Sequence, residues 1–114
     1  MGLRDLFLQR AATREIVQFD AGISDPVYIR PMRKGTKSKV ESLASGKKTA
    51  KDCSELRWMV LRDCLCDSDG EPILTADDRE SFDSWDESFI EPIFNESLRV
   101  SKVTENEQEE LEKN

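Results

Sequence analysis

The spacing of apolar residues predicts two short strands near the start of the chain. Residues 15–19 hold three large apolar side chains, and residues 27–29 are β-branched and aromatic, which is typical of strands. Residues 20–26 between them contain glycine and proline, which supply the backbone angles that turns need. The pattern therefore predicts a β-hairpin, preceded by one or two helical turns over residues 2–10.

Helical spacing dominates the middle of the chain. Thr36 could cap a helix that runs through Ala44 and ends at a glycine, and residues 47–52 read as a polar connection. Residues 53–66 form the best helical pattern in the sequence. Because its apolar arc is so wide, we expect this helix to lie at the centre of the core.

Two more helices are predicted after a break rich in aspartate and glycine. Ile73 and Leu74 are expected to pack back onto the core, and Thr75 is expected to cap a helix over residues 76–82. Ser84 could cap a longer helix over residues 85–102. Pro92 lies inside that pattern, so it must either kink the helix or open a second segment at its first position.

These elements together predict an α+β fold that is mainly α. A small N-terminal β-hairpin is followed by a compact bundle of about four helices. The length of 114 residues suits one domain, while 36% charged residues favour solvated ends. We expect a single domain over residues 1–103, with residues 1–14 as a candidate mobile arm and residues 104–114 as an acidic C-terminal tail that forms a short, frayed helix.

Charge is divided unevenly along the chain. Residues 1–52 hold 11 Lys or Arg against 6 Asp or Glu, a net of +5, and residues 53–114 hold 6 against 18, a net of −12. This polarity favours charged partner surfaces and self-association into a homo-oligomer; the alternative is two solvated faces. No stretch approaches the roughly 18 apolar residues of a membrane span, and no signal peptide is evident. The odd count of three cysteines indicates reduced thiols in a cytosol.

The sequence contains few residues that could support catalysis or metal binding. Histidine is absent, which removes the commonest general base and metal ligand. Cys64 and Cys66 would point apart on a helix, so they fit a core better than a metal site. The loop that starts at Asp67 departs from a calcium loop because its glycine comes at the fourth position instead of the sixth. We therefore expect no catalysis, no metal, no cofactor and, in this acidic chain, no nucleic-acid binding.

The segment 82–100 carries more large apolar residues than one core-facing stripe needs. A partner protein could cover the excess, or the chain's own core could contain all of it. The candidate partner-binding residues are Trp85, Phe89, Ile90, Phe94 and Leu98.

The order of elements also resembles a known family. Residues 27–32 form a strand ending in Arg-Pro, residues 58–78 form a helix followed by a Cys-Asp-Ser-Asp-Gly turn and an aspartate-rich helix start, and residues 94–104 read Phe-Asn-Glu-Ser-Leu-Arg-Val-Ser-Lys-Val-Thr. With the acidic Glu-Lys-Asn ending, this is similar to the tail assembly chaperones of long-tailed phages and prophages. The resemblance covers residues 27–114. The sequence departs from the pattern at Pro92, and at Val100 and Val103, where the family has leucine.

The resemblance implies a non-enzymatic assembly factor of the host cytoplasm. Such chaperones bind the long helical tape measure protein, keep it soluble and help to recruit tail tube subunits. Many are made in two lengths by a programmed ribosomal frameshift, and Glu112-Lys113-Asn114 could be encoded by a slippery sequence. The alternatives are a structural head–tail or tail-completion protein retained in the virion, and an acidic regulator that mimics nucleic acid.

Overall fold

A computed structural model describes residues 2–45 and 49–102. The chain begins with helix α1 (Leu3–Ala12) and continues into an antiparallel hairpin of strands β1 (Val17–Phe19) and β2 (Val27–Ile29). The predicted hairpin is therefore confirmed, with the strands close to the predicted limits. Helix α1 is longer than the one or two turns that the sequence predicted, because good helix formers continue the pattern as far as the second alanine.

Helix α1 stands apart from the core of the described residues. All of its residues are exposed, and none of them is among the residues that pack against the described core cluster. The structure does not test whether this arm moves, and that remains a prediction.

The next two helices begin earlier than predicted. Arg33 occupies the N-cap position of helix α2 (Lys34–Ala44) but makes no side-chain capping hydrogen bond. The predicted cap, Thr36, lies inside the helix, although α2 does end at Ala44. Helix α3 (Ala50–Cys64) starts three residues early, so the predicted polar connection is wrong over residues 50–52. The glycine predicted to end α2 lies outside the described residues.

A capping box explains the early start of α3. The side-chain oxygen of Thr49 accepts a hydrogen bond from the Asp52 backbone N–H at 3.1 Å, and the Asp52 carboxylate accepts one from the Thr49 N–H at 3.1 Å. These two bonds satisfy amides that lack partners at a helix start. The pKa of Asp52 is lowered, chiefly by its hydrogen bond from the Thr49 backbone.

A third strand replaces the last predicted turn of α3. Strand β3 (Leu65–Cys66) pairs antiparallel with β2, which gives a sheet of order β1-β2-β3. The prediction of helix as far as Cys66 is therefore wrong. Because the chain leaves the helix after Cys64, the backbone of β3 can form hydrogen bonds with the free edge of β2. Both side chains of β3 remain buried.

The chain then turns and re-enters helix. Gly70 adopts φ +83°, a left-handed conformation that favours glycine, and Asp67 accepts hydrogen bonds from two amides of this turn. A 3-10 turn (Ala76–Asp78) leads directly into helix α4 (Arg79–Phe82). Thr75 is the N-cap, as predicted.

The last described helix, α5 (Glu87–Val100), is a single continuous helix. Its cap is Asp86, whose carboxylate accepts a hydrogen bond from the Ser88 N–H at 3.0 Å, so the predicted cap at Ser84 is wrong. Pro92 lies inside α5 and opens no second segment. The predicted acidic tail lies outside the described residues.

The core is built around α3, as predicted. This helix packs against α2 on one side and α5 on another, and α5 also contacts β2. Trp58 of α3 makes edge-on contacts with Phe82 and Trp85, with ring centroids 5.4 and 6.4 Å away. The predicted α+β, mainly α architecture is confirmed, with one strand more than the sequence indicated.

Candidate partner-binding site

Large apolar side chains that face solvent are found in two places within the described residues. Four of them lie on α1: Leu3, Leu6, Phe7 and Leu8. The other three, Ile23, Ile73 and Phe89, are 54%, 46% and 38% exposed. These three come from a turn, a loop and a helix, yet all of them line one groove.

This groove, hereafter the Phe89 groove, has a volume of about 390 Å³. The hairpin, the end of α3, β3 and the first turns of α5 form its walls. Asp86 is the single charged residue among those that line it; the other lining residues are Ile23, Val27, Leu61, Leu65, Ile73, Leu74, Trp85, Phe89, Ile90 and Ile93. An apolar concavity rimmed by exposed apolar side chains is typical of a surface that binds an apolar partner.

Phe89 borders a second concave surface in addition to the groove. It also lines a neighbouring depression of about 360 Å³, together with Phe19, Ala21 and Pro92. Its ring therefore borders two concave surfaces at once. Two aspartates, Asp20 and Asp86, also line this depression and give it acidic character.

The periodicity of α5 explains which of its residues reach the groove. Residues three or four apart share a helix face, and this places Ile90, Phe94 and Leu98 toward the core. Phe89 precedes Ile90 by one position, a rotation of about 100°, so it falls at the edge of the buried face. The groove thus forms where the apolar arc of α5 is wider than the core can cover.

The five predicted partner-binding residues are divided by the structure. Trp85, Phe89 and Ile90 line the Phe89 groove. Phe94 and Leu98 are completely buried, so they belong to the chain's own core and present no surface to a partner. Partner binding by the first three remains a prediction.

Two exposed apolar residues of the groove were missed by the sequence analysis. Ile23 lies in the hairpin turn, and Ile73, which was expected to pack onto the core, faces the groove instead. Ile23 is a large apolar side chain inside an otherwise polar turn segment, and that isolation was the available signal, since a turn seldom needs such a residue. Ile73 offered no such signal, because Leu74 follows it directly.

The buried carboxylate of Asp63 links separate segments of the chain through hydrogen bonds. Asp63 is 5% exposed, and its Oδ1 atom accepts hydrogen bonds from the side chains of Arg14 and Arg33, both at 2.9 Å. Its Oδ2 atom accepts from the Arg33 backbone N–H at 2.9 Å. Burial acts to raise the pKa of Asp63, but the hydrogen bonds from Arg33, Arg14 and Thr36 outweigh it, so the pKa lies below its ordinary value.

The cysteines are buried thiols. Burial raises the pKa of Cys64 to about 12, with a further contribution from the neighbouring Asp63, and burial also raises the pKa of Cys66. Thiols of this kind stay protonated and are poor nucleophiles. Across residues 2–45 and 49–102, no three His, Cys, Asp or Glu side chains cluster as a metal-ion ligand set. In the same ranges, no helix has the length and apolar character that crossing a membrane requires.

Comparison with known proteins gives one informative likeness. No family model matches the chain, and no curated protein matches it by sequence. The solved structure of the bacteriophage HK97 tail assembly chaperone superposes on it with a TM-score of 0.51 and 14% sequence identity. The match covers 91% of this chain and 98% of the HK97 chain.

The chain has the fold of a phage tail assembly chaperone. The family resemblance that the sequence predicted is thereby confirmed at the level of the fold.

Proposed function

We propose that this protein is a phage tail assembly chaperone that acts in the host cytoplasm, without catalysis. It binds apolar helical segments of the tape measure protein in the Phe89 groove and keeps that protein soluble. The observation that carries this proposal is the groove itself: three exposed large apolar side chains around one apolar concavity, on a tail assembly chaperone fold.

The groove suits a helical client for physical reasons. Amphipathic helices bind by placing apolar side chains three and four residues apart into an apolar groove. Each large side chain that is fully buried in this way contributes about 1.5–3 kcal/mol. Two or three anchors therefore give reversible binding, which a chaperone needs because it must release its client.

The acids beside the groove add selectivity. Asp86 lines the groove, and Asp20 lies in the neighbouring depression. A client helix whose apolar stripe is flanked by Lys or Arg would meet complementary charge, which speeds association and excludes acidic segments. Help in recruiting tail tube subunits is a further part of the proposal, and it rests on the resemblance of residues 27–114 to the tail assembly chaperone family.

The test is protection of the tape measure protein from aggregation. We expect Phe89→Ser to weaken protection at least tenfold, because a polar side chain at the rim removes an apolar anchor worth about 1.4 kcal/mol or more. Because Phe89 is only 38% exposed, part of its ring packs on the chain itself and the serine variant should be less stable, so protection is measured well below the thermal midpoint of the variant. The matched control is Phe89→Leu, which keeps an apolar anchor and should retain protection. Full protection by the serine variant would refute the assignment of the groove.

A second experiment separates the chaperone from a structural component. A chaperone leaves its product, so mass spectrometry of purified virions should find no stoichiometric amount of this chain. Retention in the particle would instead support a head–tail or tail-completion protein.

Two lengths of product are also part of the proposal. The codons of Lys113 and Asn114 are the place to look, because a programmed frameshift needs a slippery sequence there. We expect the gene to contain that sequence and an overlapping frame. Codons that cannot slip would remove this part of the proposal and leave the groove assignment standing.

A further inference from the structure

Helix α1 presents a row of apolar side chains that the described part of the chain leaves uncovered. Leu3, Leu6 and Phe7 are 84%, 53% and 67% exposed, and their spacing of three and four residues places them on one face. Arg10 follows Leu6 by four positions and Phe7 by three, so it lies at the end of the same row. These four residues are hereafter called the α1 stripe.

The other side chains of α1 separate the stripe from its surroundings. Leu8 lies one position after Phe7, a rotation of about 100°, and Asp5 lies two positions before it, a rotation of about 160°. The stripe therefore combines apolar side chains with a cation, while the acid of α1 lies on another face. A helix of ten residues has little stability by itself in water, so a surface that covers the stripe also stabilises α1.

The Phe89 groove has the complementary chemistry. It is apolar over most of its lining and is bordered by Asp86, and the adjoining depression contains Asp20 as well. Within the described part of the chain, neither aspartate forms an ion pair, and the same holds for Arg10. A helix that inserts the apolar side chains of the stripe into this groove can bring its cation to the acidic rim.

An anchor at Arg14 determines where α1 leaves the domain. Its Nη1 atom donates hydrogen bonds to the Asp63 carboxylate at 2.9 Å and to the Asp63 and Pro31 carbonyl oxygens at 3.2 and 3.4 Å. Only Thr13 separates Arg14 from the end of α1. In this arrangement no residue of α1 lines the Phe89 groove of its own chain. The groove that α1 can fill without release of the anchor is therefore that of a second copy.

We propose that α1 of one copy docks in the Phe89 groove of a second copy. Each copy has one stripe and one groove, so a reciprocal exchange covers both apolar surfaces at once, in a two-fold symmetric dimer. The docking itself does not depend on the proposed function. Its consequence rests on that function: α1 and a client helix compete for one groove, so the dimer is a closed form whose grooves open when the copies separate.

A mixture of two variants tests the contact. The stripe variant carries Leu6→Ser with Phe7→Ser, and the groove variant carries Ile23→Ser with Ile73→Ser, at exposed positions of the groove. In sedimentation velocity, the dissociation constant of each variant alone should rise at least roughly hundredfold, about tenfold for each anchor. An equimolar mixture should form dimers where either variant alone is monomeric, because one intact stripe meets one intact groove.

A second measurement requires no change in the groove. Trp85 lines the groove and is half-buried. Dilution of the parent chain should shift its tryptophan emission to longer wavelength, because release of α1 exposes the groove to water. The stripe variant should show the shifted emission at every concentration. Should the groove variant not fold, as judged by circular dichroism, this measurement decides alone.

Leu8→Ser is the matched control. It removes an apolar side chain from α1 outside the stripe, so the dimer should persist. A monomeric parent chain, dimers that survive in the stripe variant, loss of the dimer with Leu8→Ser, or a mixture of folded variants that stays monomeric would overturn the proposal. Emission of the parent that is constant on dilution would do the same.

These measurements do not involve the tape measure protein, so the docking of α1 and the proposed function fail separately. If both hold, the stripe variant should protect the tape measure protein at a lower concentration than the parent chain does, because its groove is free. A monomeric stripe variant that protects no better than the parent would refute the competition for the groove.

Discussion

At the level of single residues, Asp63 organises more of the molecule than any other described polar side chain. Its carboxylate joins the segment that follows α1, the cap of α2 and the end of α3. A buried carboxylate without partners would destabilise the fold, whereas here both oxygens accept charge-assisted hydrogen bonds. Arg14 thus fixes the point at which α1 leaves the domain.

We predict that Asp63→Asn lowers the free energy of unfolding at pH 7 by roughly 2–3 kcal/mol, the contribution of hydrogen bonds to a charged group. The folded-state pKa of Asp63 lies below 3.8, so its contribution is complete above pH 3.8 and is lost as the pH falls through the folded-state pKa. The difference between parent and variant in urea unfolding should therefore shrink in acid. A difference that is constant with pH would contradict this account.

At the level of elements, the start of α3 shows how a helix boundary is set. Apolar periodicity begins at Cys53, but the helix begins at Ala50, because Thr49 and Asp52 satisfy the first amides reciprocally. The cap thus adds a turn that carries little of the apolar pattern.

We predict that Thr49→Ala lowers the free energy of unfolding by about 1 kcal/mol, since it removes the side-chain acceptor at the N-cap. Thr49→Ser keeps the hydroxyl and should be close to neutral. Chemical denaturation of both variants gives the comparison. Equal losses would mean that the methyl group of Thr49, and not its hydroxyl, stabilises the helix start.

The same elements show what the sequence could predict. The hairpin and the central position of α3 follow from local spacing and turn residues, which a single sequence contains. Strand β3 does not, because Leu65 and Cys66 continue a helical pattern and become a strand only through pairing with β2, some 37 residues earlier. In the candidate site, Phe89 could be predicted because the helical spacing of α5 is visible in the sequence. Ile23 and Ile73 could not be assigned to the site, because only tertiary packing brings them to the groove.

At the level of the whole molecule, residues 2–45 and 49–102 leave two apolar surfaces uncovered among themselves: the Phe89 groove and α1. The chain's own core leaves every residue of α1 exposed, although three of them, Leu3, Leu6 and Phe7, fall at three- and four-residue spacing. We propose that α1 mediates self-association, which agrees with the opposite charges of the two halves of the chain.

We predict that the triple change Leu3→Ser, Leu6→Ser and Phe7→Ser abolishes self-association in analytical ultracentrifugation. The thermal midpoint at low protein concentration should not fall, because none of the three side chains is buried. Gln9→Ser, a polar change on the same helix, is the matched control. Oligomers that survive the triple change would place the contact elsewhere.

The joining of β2, α3 and α5 in one core also bears on how the chain folds as it is synthesised. Ile29 lies in the first third of the sequence, and Leu98 completes the same apolar cluster. The Phe89 groove cannot exist until α5 has emerged from the ribosome, because α5 supplies one of its walls. On the proposed function, a nascent chain without α5 would therefore lack its client-binding surface.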